Sequence, residues 1–76
     1  MTPPPRIVRG AEHWFVVGRG TEDDKARLRR YLERHPLRDD SCWGFATESD
    51  ARDAARDFVA FDSSVDRCLT LDTCAV

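Results

Sequence analysis

The sequence predicts a small α+β domain, a two-layer α/β sandwich with the order (β)-β-α-β-α-β, in which a sheet of three to four strands carries two helices on one face. The chain has only 76 residues, which is enough for one domain. Short apolar runs alternate with two segments of helical periodicity, and each helical segment begins at a threonine followed by acidic residues. We expect residues 1–5 to be a disordered lead-in and residues 6–76 to form the single domain.

The first half of the chain predicts two strands and a helix. Residues 6–9 are typical of a short strand, and residues 13–17 (His-Trp-Phe-Val-Val) are apolar on both faces, which predicts a central strand. After a glycine-rich turn, Thr21 is predicted to cap a helix that Pro36 ends. One face of this helix carries Leu28, Tyr31, Leu32 and His35.

The second half repeats the pattern of strand, threonine cap and helix. Residues 42–46 predict a strand, Thr47 is expected to cap the second helix, and residues 68–71 predict the last strand. The apolar face of the second helix carries Ala51, Ala54, Ala55, Phe58 and Val59. The two periodicities together predict a core formed by Trp14, Val16, Leu28, Leu32, Trp43, Phe45, Phe58 and Val59.

The composition points to a source and to an uneven charge. Eleven arginines accompany a single lysine, and asparagine and glutamine are absent, which indicates a high-GC bacterium or its phage. The net charge of −2 conceals a first half, residues 1–38, at +4 and a second half, residues 39–76, at −6. Such a split favours either an electrostatic partner or mutual neutralisation of the two halves across the fold.

Several classes of protein are excluded by composition. No apolar run approaches the roughly 18 residues of a membrane span, the N-terminus lacks the apolar stretch of a signal peptide, and the apolar content is too high for a disordered chain. We therefore expect a cytoplasmic protein without a membrane partner. The odd set of Cys42, Cys68 and Cys74 predicts reduced, buried thiols rather than disulfides or a metal site, and we expect no cofactor.

The groups that could carry catalysis are His13, His35 and the three thiols. Their spacing matches no nucleophile, phosphate-binding or metal-ligand motif. So short a chain also has little room to close a cleft over a substrate. The pattern therefore favours a non-catalytic protein, with a small enzyme or a thiol-dependent accessory protein as an alternative.

Two charged helix faces are the candidate binding surfaces. The first helix carries an arginine ridge, which we define as Arg27, Arg30, Arg34 and Arg38, extended by Arg29. The second carries an aspartate stripe, which we define as Asp50, Asp53 and Asp57. Each is also what an ordinary solvated helix face would show. The ridge is expected to point away from the core, so that its arginines can be exchanged without structural cost.

These observations favour a protein-binding module or small regulator that docks on a partner protein through its charged helix faces. A homodimer is one form that such docking could take. The alternative is a nucleic-acid-binding regulator that uses the arginine ridge, although the sequence pI of about 5.6 is low for that class. The ridge ranks above the stripe, because arginine offers bidentate contacts to carboxylate and phosphate groups.

Overall fold

The computed structural model describes residues 1–39 and 43–73. Its elements are, in chain order, β1 (Arg6–Arg9), β2 (Trp14–Val17), α1 (Glu22–Glu33), α2 (Glu48–Phe61) and β3 (Thr70–Asp72). The predicted α+β class is confirmed, with one three-stranded sheet and two helices. Of the helices in these ranges, none is long and apolar enough to cross a membrane.

The sheet has the strand order β2-β1-β3. β1 is antiparallel to β2, with Ile7 opposite Val16, and parallel to β3, with Ile7 opposite Leu71. The prediction that residues 13–17 form the central strand is wrong, because β1 takes that place and β2 lies at its side. The middle residues of β1, Ile7 and Val8, are buried on both faces. The exposed arginines at both ends of this short strand make it look less apolar in the sequence than residues 13–17.

The strand predicted at residues 42–46 is reduced to a single bridge. The backbone N–H of Trp14 donates to Phe45 O at 2.8 Å, and the N–H of Phe45 donates to Trp14 O at 2.7 Å. One residue earlier, Gly44 O accepts from the N–H of Asp39 at 3.0 Å. The bridge is isolated, and no pairing of Trp43 with Val16 extends it among the described residues. Cys42 lies outside the described residues. The last strand, β3, begins two residues later than predicted.

The helix starts follow from local capping chemistry. The Thr21 hydroxyl accepts from the Asp24 amide at 3.2 Å, and the Asp24 carboxylate accepts from the Thr21 amide at 2.9 Å. Together these bonds satisfy two amides at the start of α1 that would otherwise lack partners. Thr47 caps α2 by accepting from the Asp50 amide at 3.1 Å. Both predicted caps are confirmed.

α2 packs on β1 and β2, α1 packs against α2 and comes against the chain at Gly18, and both helices share one apolar core with the sheet. Three fully buried alanines give α2 a flat side that can lie close to β1 and β2. Trp14 is only half-buried, and Trp43 is 45% exposed, so the prediction that Trp43 is a core residue is wrong. The core comprises Ile7, Val16, Leu28, Leu32, Phe45, Ala51, Ala54, Ala55, Phe58, Val59 and Val65.

Residues 2–5 lie against the loop that follows α2. The backbone N–H of Thr2 donates to Ser64 O at 2.9 Å, and Thr2 O accepts from the N–H of Asp66 at 2.8 Å. Pro5 is fully buried. In this structure the lead-in is therefore hydrogen-bonded and partly buried, while the division of the chain into a lead-in and a domain at residue 6 stays a prediction.

Candidate functional site

The arginine ridge does not form one continuous solvent-facing surface. Arg30 and Arg34 are exposed, as predicted. Arg38 is half-buried, with its guanidinium 4.9 Å from the centroid of the Trp43 ring and Nη2 donating to Glu33 O at 3.3 Å. Arg27 is engaged in contacts within the chain. A binding role for the ridge as a whole stays a prediction, and the structure leaves Arg30 and Arg34 as its accessible part.

Arg27 ties three separate parts of the chain together. Its Nη1 donates to Asp62 Oδ2 at 2.6 Å and to Ser64 Oγ at 2.8 Å, while its Nη2 contacts Asp24 and donates to Thr2 Oγ1 at 3.3 Å. The expectation that Arg27 can be exchanged without structural cost is wrong, because its guanidinium joins α1 to the turn after α2 and to the lead-in.

This network makes the stability of the fold sensitive to acid. Hydrogen bonds from the Thr21 amide and from Arg27 lower the pKa of Asp24 from 3.8 to about 2. Hydrogen bonds from Ser64, together with the charge of Arg27, lower the pKa of Asp62. Because both carboxylates bind protons less readily when folded than when unfolded, their contribution is complete above about pH 4 and is lost as the pH falls toward 2.

We expect Arg27→Met to weaken this pH dependence as well as the fold. Unfolding free energies from urea titrations at steps from pH 6 to pH 2 should fall less steeply for Arg27→Met than for wild type. The remaining slope comes from the Thr21 cap and from Ser64. Arg34→Met, at the exposed C-cap of the same helix, is the control and should keep the wild-type slope. Parallel curves for wild type and Arg27→Met would contradict the role given to Arg27.

The aspartate stripe is likewise divided. Asp53 is exposed and Asp50 is half-buried beside the start of α2. Asp57 Oδ2 lies 3.2 Å from His35 Nε2, so this carboxylate is bound within the chain. The structure does not bring the stripe and the ridge together into one surface, and the binding role of the stripe stays a prediction.

The two histidines are each held by an aspartate. His35 is buried at the end of α1, where its Nδ1 accepts from the Leu37 amide at 3.3 Å. The ring proton therefore sits on Nε2 and faces Asp57. His13 Nε2 lies 3.0 Å from Asp39 Oδ2, beside β2. The hydrogen bonds of His35 fit a structural residue that closes the edge of the core.

The cysteines give no metal centre within the described part of the chain. Residues 1–39 and 43–73 contain no group of three histidine, cysteine or acidic side chains placed to hold a metal ion. Cys68 is exposed, so the prediction that all three thiols are buried is wrong for this residue. The prediction stays open for Cys42 and Cys74, which lie outside the described residues.

One concave feature of the described part of the chain is an apolar cleft of about 570 Å³ at the edge of β2, bounded on one side by α1. Val8 and Phe15 are paired across β1 and β2, and they point to the sheet face opposite Ile7. With Val17 they form the sheet side of the cleft, and Leu28 and Leu32 contribute the helix side. A volume of this size, lined mainly by aliphatic and aromatic side chains, is within the range of protein binding pockets.

The rim of the cleft is basic and aromatic. Lys25 and Arg29, one helical turn apart on α1, line it together with Trp43. Lys25 makes a loose ion pair with the exposed Glu22, at 3.6 Å. Arg29 is exposed and makes no ion pair with the part of the chain that the structure describes. The cleft therefore combines an apolar interior with two accessible cations and a tryptophan.

The cleft is not predicted from the sequence, although the sequence contains a signal for it. Residues 13–17 are apolar on both faces, which predicts a central strand. The predicted arrangement, with both helices on one face of the sheet, leaves no helix to cover the second apolar face of this strand. Spacing alone predicts Trp43 as a core residue, and it identifies Arg29 only as an extension of the ridge.

A second, smaller hollow of about 290 Å³ lies between α1 and α2. Tyr31 packs edge-on against Phe58 and tilted against Phe61, with ring centroids 5.5 Å and 5.2 Å apart. Phe61 is 74% exposed. Arg27, which lines this hollow, is already bound to Asp62, and the hollow has about half the volume of the cleft beside β2.

No protein-family model, no curated protein and no solved structure matches the chain. Its function is therefore inferred from the cleft and from the charges around it.

Proposed function

We propose that the protein is a non-catalytic protein-binding module that holds an apolar segment with acidic residues, belonging to a partner protein, in the cleft between β2 and α1. The observation that carries the proposal is the combination of the apolar lining with Lys25, Arg29 and Trp43 at the rim. The arginine-rich composition supports a source in a high-GC bacterium or its phage, and the odd cysteine count supports a cytoplasmic location.

Apolar side chains of a partner would supply the binding energy. Burial of apolar surface contributes roughly 25 cal/mol per Å², so one or two aliphatic side chains inserted between Phe15 and Leu28 would be the main anchor. Trp43 is half-exposed at the rim and stacked on Arg38, which holds a large flat side chain beside the entrance. Tryptophan and arginine are the residue types most enriched at binding hot spots.

The rim charges select an acidic partner segment. Arg29 can bind a carboxylate of the partner without breaking an existing ion pair in the described part of the chain. Lys25 would exchange only an exposed pair with Glu22, and such pairs contribute about 0–1 kcal/mol. An electropositive rim also speeds the approach of an acidic segment and disfavours a basic one.

The nucleic-acid alternative draws less support from this geometry. Arg27 is bound to Asp24 and Asp62, and Arg38 is packed on Trp43, which leaves Arg30 and Arg34, with Arg29 beside them, as the accessible arginines. Three accessible arginines on a protein of net charge −2 give a weak electrostatic footprint for phosphate.

The test uses defined peptides labelled with fluorescein and followed by fluorescence anisotropy. A peptide that alternates valine with glutamate should bind, whereas versions with lysine for glutamate or with serine for valine should not. The nucleic-acid alternative is tested in the same assay, by measuring the binding of a labelled DNA duplex at two salt concentrations. Binding of the duplex alone, or equal binding of the acidic and basic peptides, would overturn the proposal.

Arg29→Glu should weaken binding of the valine–glutamate peptide by about tenfold or more, because it replaces an attraction at the rim with a repulsion. Arg34→Glu makes the same change of net charge on an arginine outside the cleft, and it should change the affinity by less than about twofold. Equal losses in the two variants would show that net charge, rather than the cleft, controls binding.

A further inference from the structure

At Val16, the edge of β2 that faces the cleft presents backbone groups that no residue of the described ranges binds. Residues of an antiparallel strand direct their backbone groups alternately toward one neighbour and the other. Because Trp14 directs its N–H and C=O away from β1, to Phe45, the residue two positions later does the same. Val16 therefore presents one N–H and one C=O on the side of β2 that borders the cleft.

No backbone group in the described ranges takes up these two positions. If the antiparallel bridge between Trp14 and Phe45 continued, Trp43 would lie opposite Val16. The bridge is isolated instead, no pairing joins Trp43 to Val16 among the described residues, and Trp43 lies at the cleft rim. The place beside Val16 where a further strand would run thus opens into the cleft.

The far end of this edge is closed by α1. A Cβ atom added to Gly18 would lie 3.2 Å from Lys25 Cα and 3.2 Å from Leu28 Cδ2, so the helix backbone comes directly against the strand there. The open edge of β2 is therefore short: it lies between Trp14, which is bridged to Phe45, and Gly18, which α1 covers. Arg29 lies one helical turn beyond Lys25 and lines the same cleft.

We propose that the partner segment binds as an extended strand that adds to β2 at Val16, an inference that rests on the proposed function. An extended chain offers an N–H and a C=O to the same side at every second residue, which matches Val16, whereas a helix has already paired these groups internally. Its side chains alternate between the two faces of the sheet, so apolar residues enter the cleft on the side of Phe15 and Val17, and the acidic residues between them reach Lys25 and Arg29 on the side of α1.

The experiment follows individual amides of the ¹⁵N-labelled protein by NMR, with the valine–glutamate peptide as the probe. Hydrogen exchange of the Val16 amide should slow by about tenfold or more at saturating peptide, because the amide gains a hydrogen-bond partner. The Trp14 amide, which already donates to Phe45, is the internal control and should change little. Cross-strand contacts between peptide Hα atoms and the Val16 amide are expected in the same spectra.

Peptides N-methylated at one residue at a time test the pairing from the other side and leave the protein unchanged. Methylation at the residue that pairs with Val16 should abolish binding, while methylation of either neighbour should be tolerated. Strand addition would be overturned if the peptide binds without slowing hydrogen exchange at Val16 and if every methylated form binds as well. If Arg29→Glu still weakens that binding, the proposed function stands. Absence of binding would overturn both.

Discussion

Phe45→Ala is expected to lower the free energy of unfolding by about 3–5 kcal/mol, the largest effect of any single truncation that we propose. The Phe45 ring has no exposed surface, lies in the common core and packs edge-on against His35, with centroids 5.9 Å apart. Its backbone also forms the only bridge between β2 and the segment before α2 in the described ranges. A domain of this size has a total stability of about 5–15 kcal/mol, so such a loss is a large part of the whole.

Urea titration followed by circular dichroism measures this loss, with Phe45→Leu as a milder variant in case the alanine form does not fold. Phe61→Ala is the matched control, because Phe61 is 74% exposed. The control should change the unfolding free energy by less than about 0.5–1 kcal/mol, the usual range for surface substitutions. Equal costs at the two phenylalanines would contradict the placement of Phe45 in the core.

Leu32→Ala is expected to cost about 2–5 kcal/mol. Leu32 is 4% exposed, it belongs to the same core, and it also lines the cleft. Since alanine favours helix more than leucine does, the loss comes from the cavity and not from the propensity of α1. The unfolding free energy should therefore fall even though the isolated helix becomes no less favourable.

Leu37→Ala is the control for this substitution, since Leu37 is 41% exposed and only its backbone amide contacts His35. Its effect on urea unfolding should be small. An unchanged midpoint for Leu32→Ala would show that the buried face of α1 is not the one that contains Leu28 and Leu32.

The helices could be predicted closely, because their signals are local. A threonine followed by an acidic residue three positions later satisfies the first amides of a helix within one turn, and both predicted caps, Thr21 and Thr47, are present. The buried faces follow from periodicity, and six of the eight predicted core residues are buried. The two exceptions are the tryptophans, Trp14 and Trp43, whose size makes complete burial uncommon.

Strand order could not be predicted in the same way. β1 is central because β3, more than sixty residues later in the chain, pairs with it in parallel. The sequence around Ile7 carries no local signal for its pairing with β3. The apolar pattern of residues 13–17 predicts that both faces of β2 are covered from solvent. It does not indicate whether a strand, a helix or a bound segment covers them.

The charged residues show the same division. The sequence placed arginines and aspartates on helix faces correctly, yet it could not show that Arg27 is bound to Asp62 or that Asp57 is bound to His35, since these pairs join residues 35 and 22 positions apart. Such contacts exist only when the helices are packed. The arginine ridge and the aspartate stripe are therefore each divided by contacts with other parts of the chain, which the spacing of residues along a helix cannot predict.

The sequence by itself determined the α+β class, the starts of both helices and most of the core, because these depend on neighbours within a few residues and on the periodicity of burial. The tertiary structure decided which strand is central, which arginines stay available and where the cleft lies. The cleft lies where α1 packs against the end of β2, with Gly18 against Lys25, and where the isolated bridge at Phe45 leaves Val16 without a neighbouring strand among the described residues. These are relations between distant segments, and they appear only when the segments are packed together.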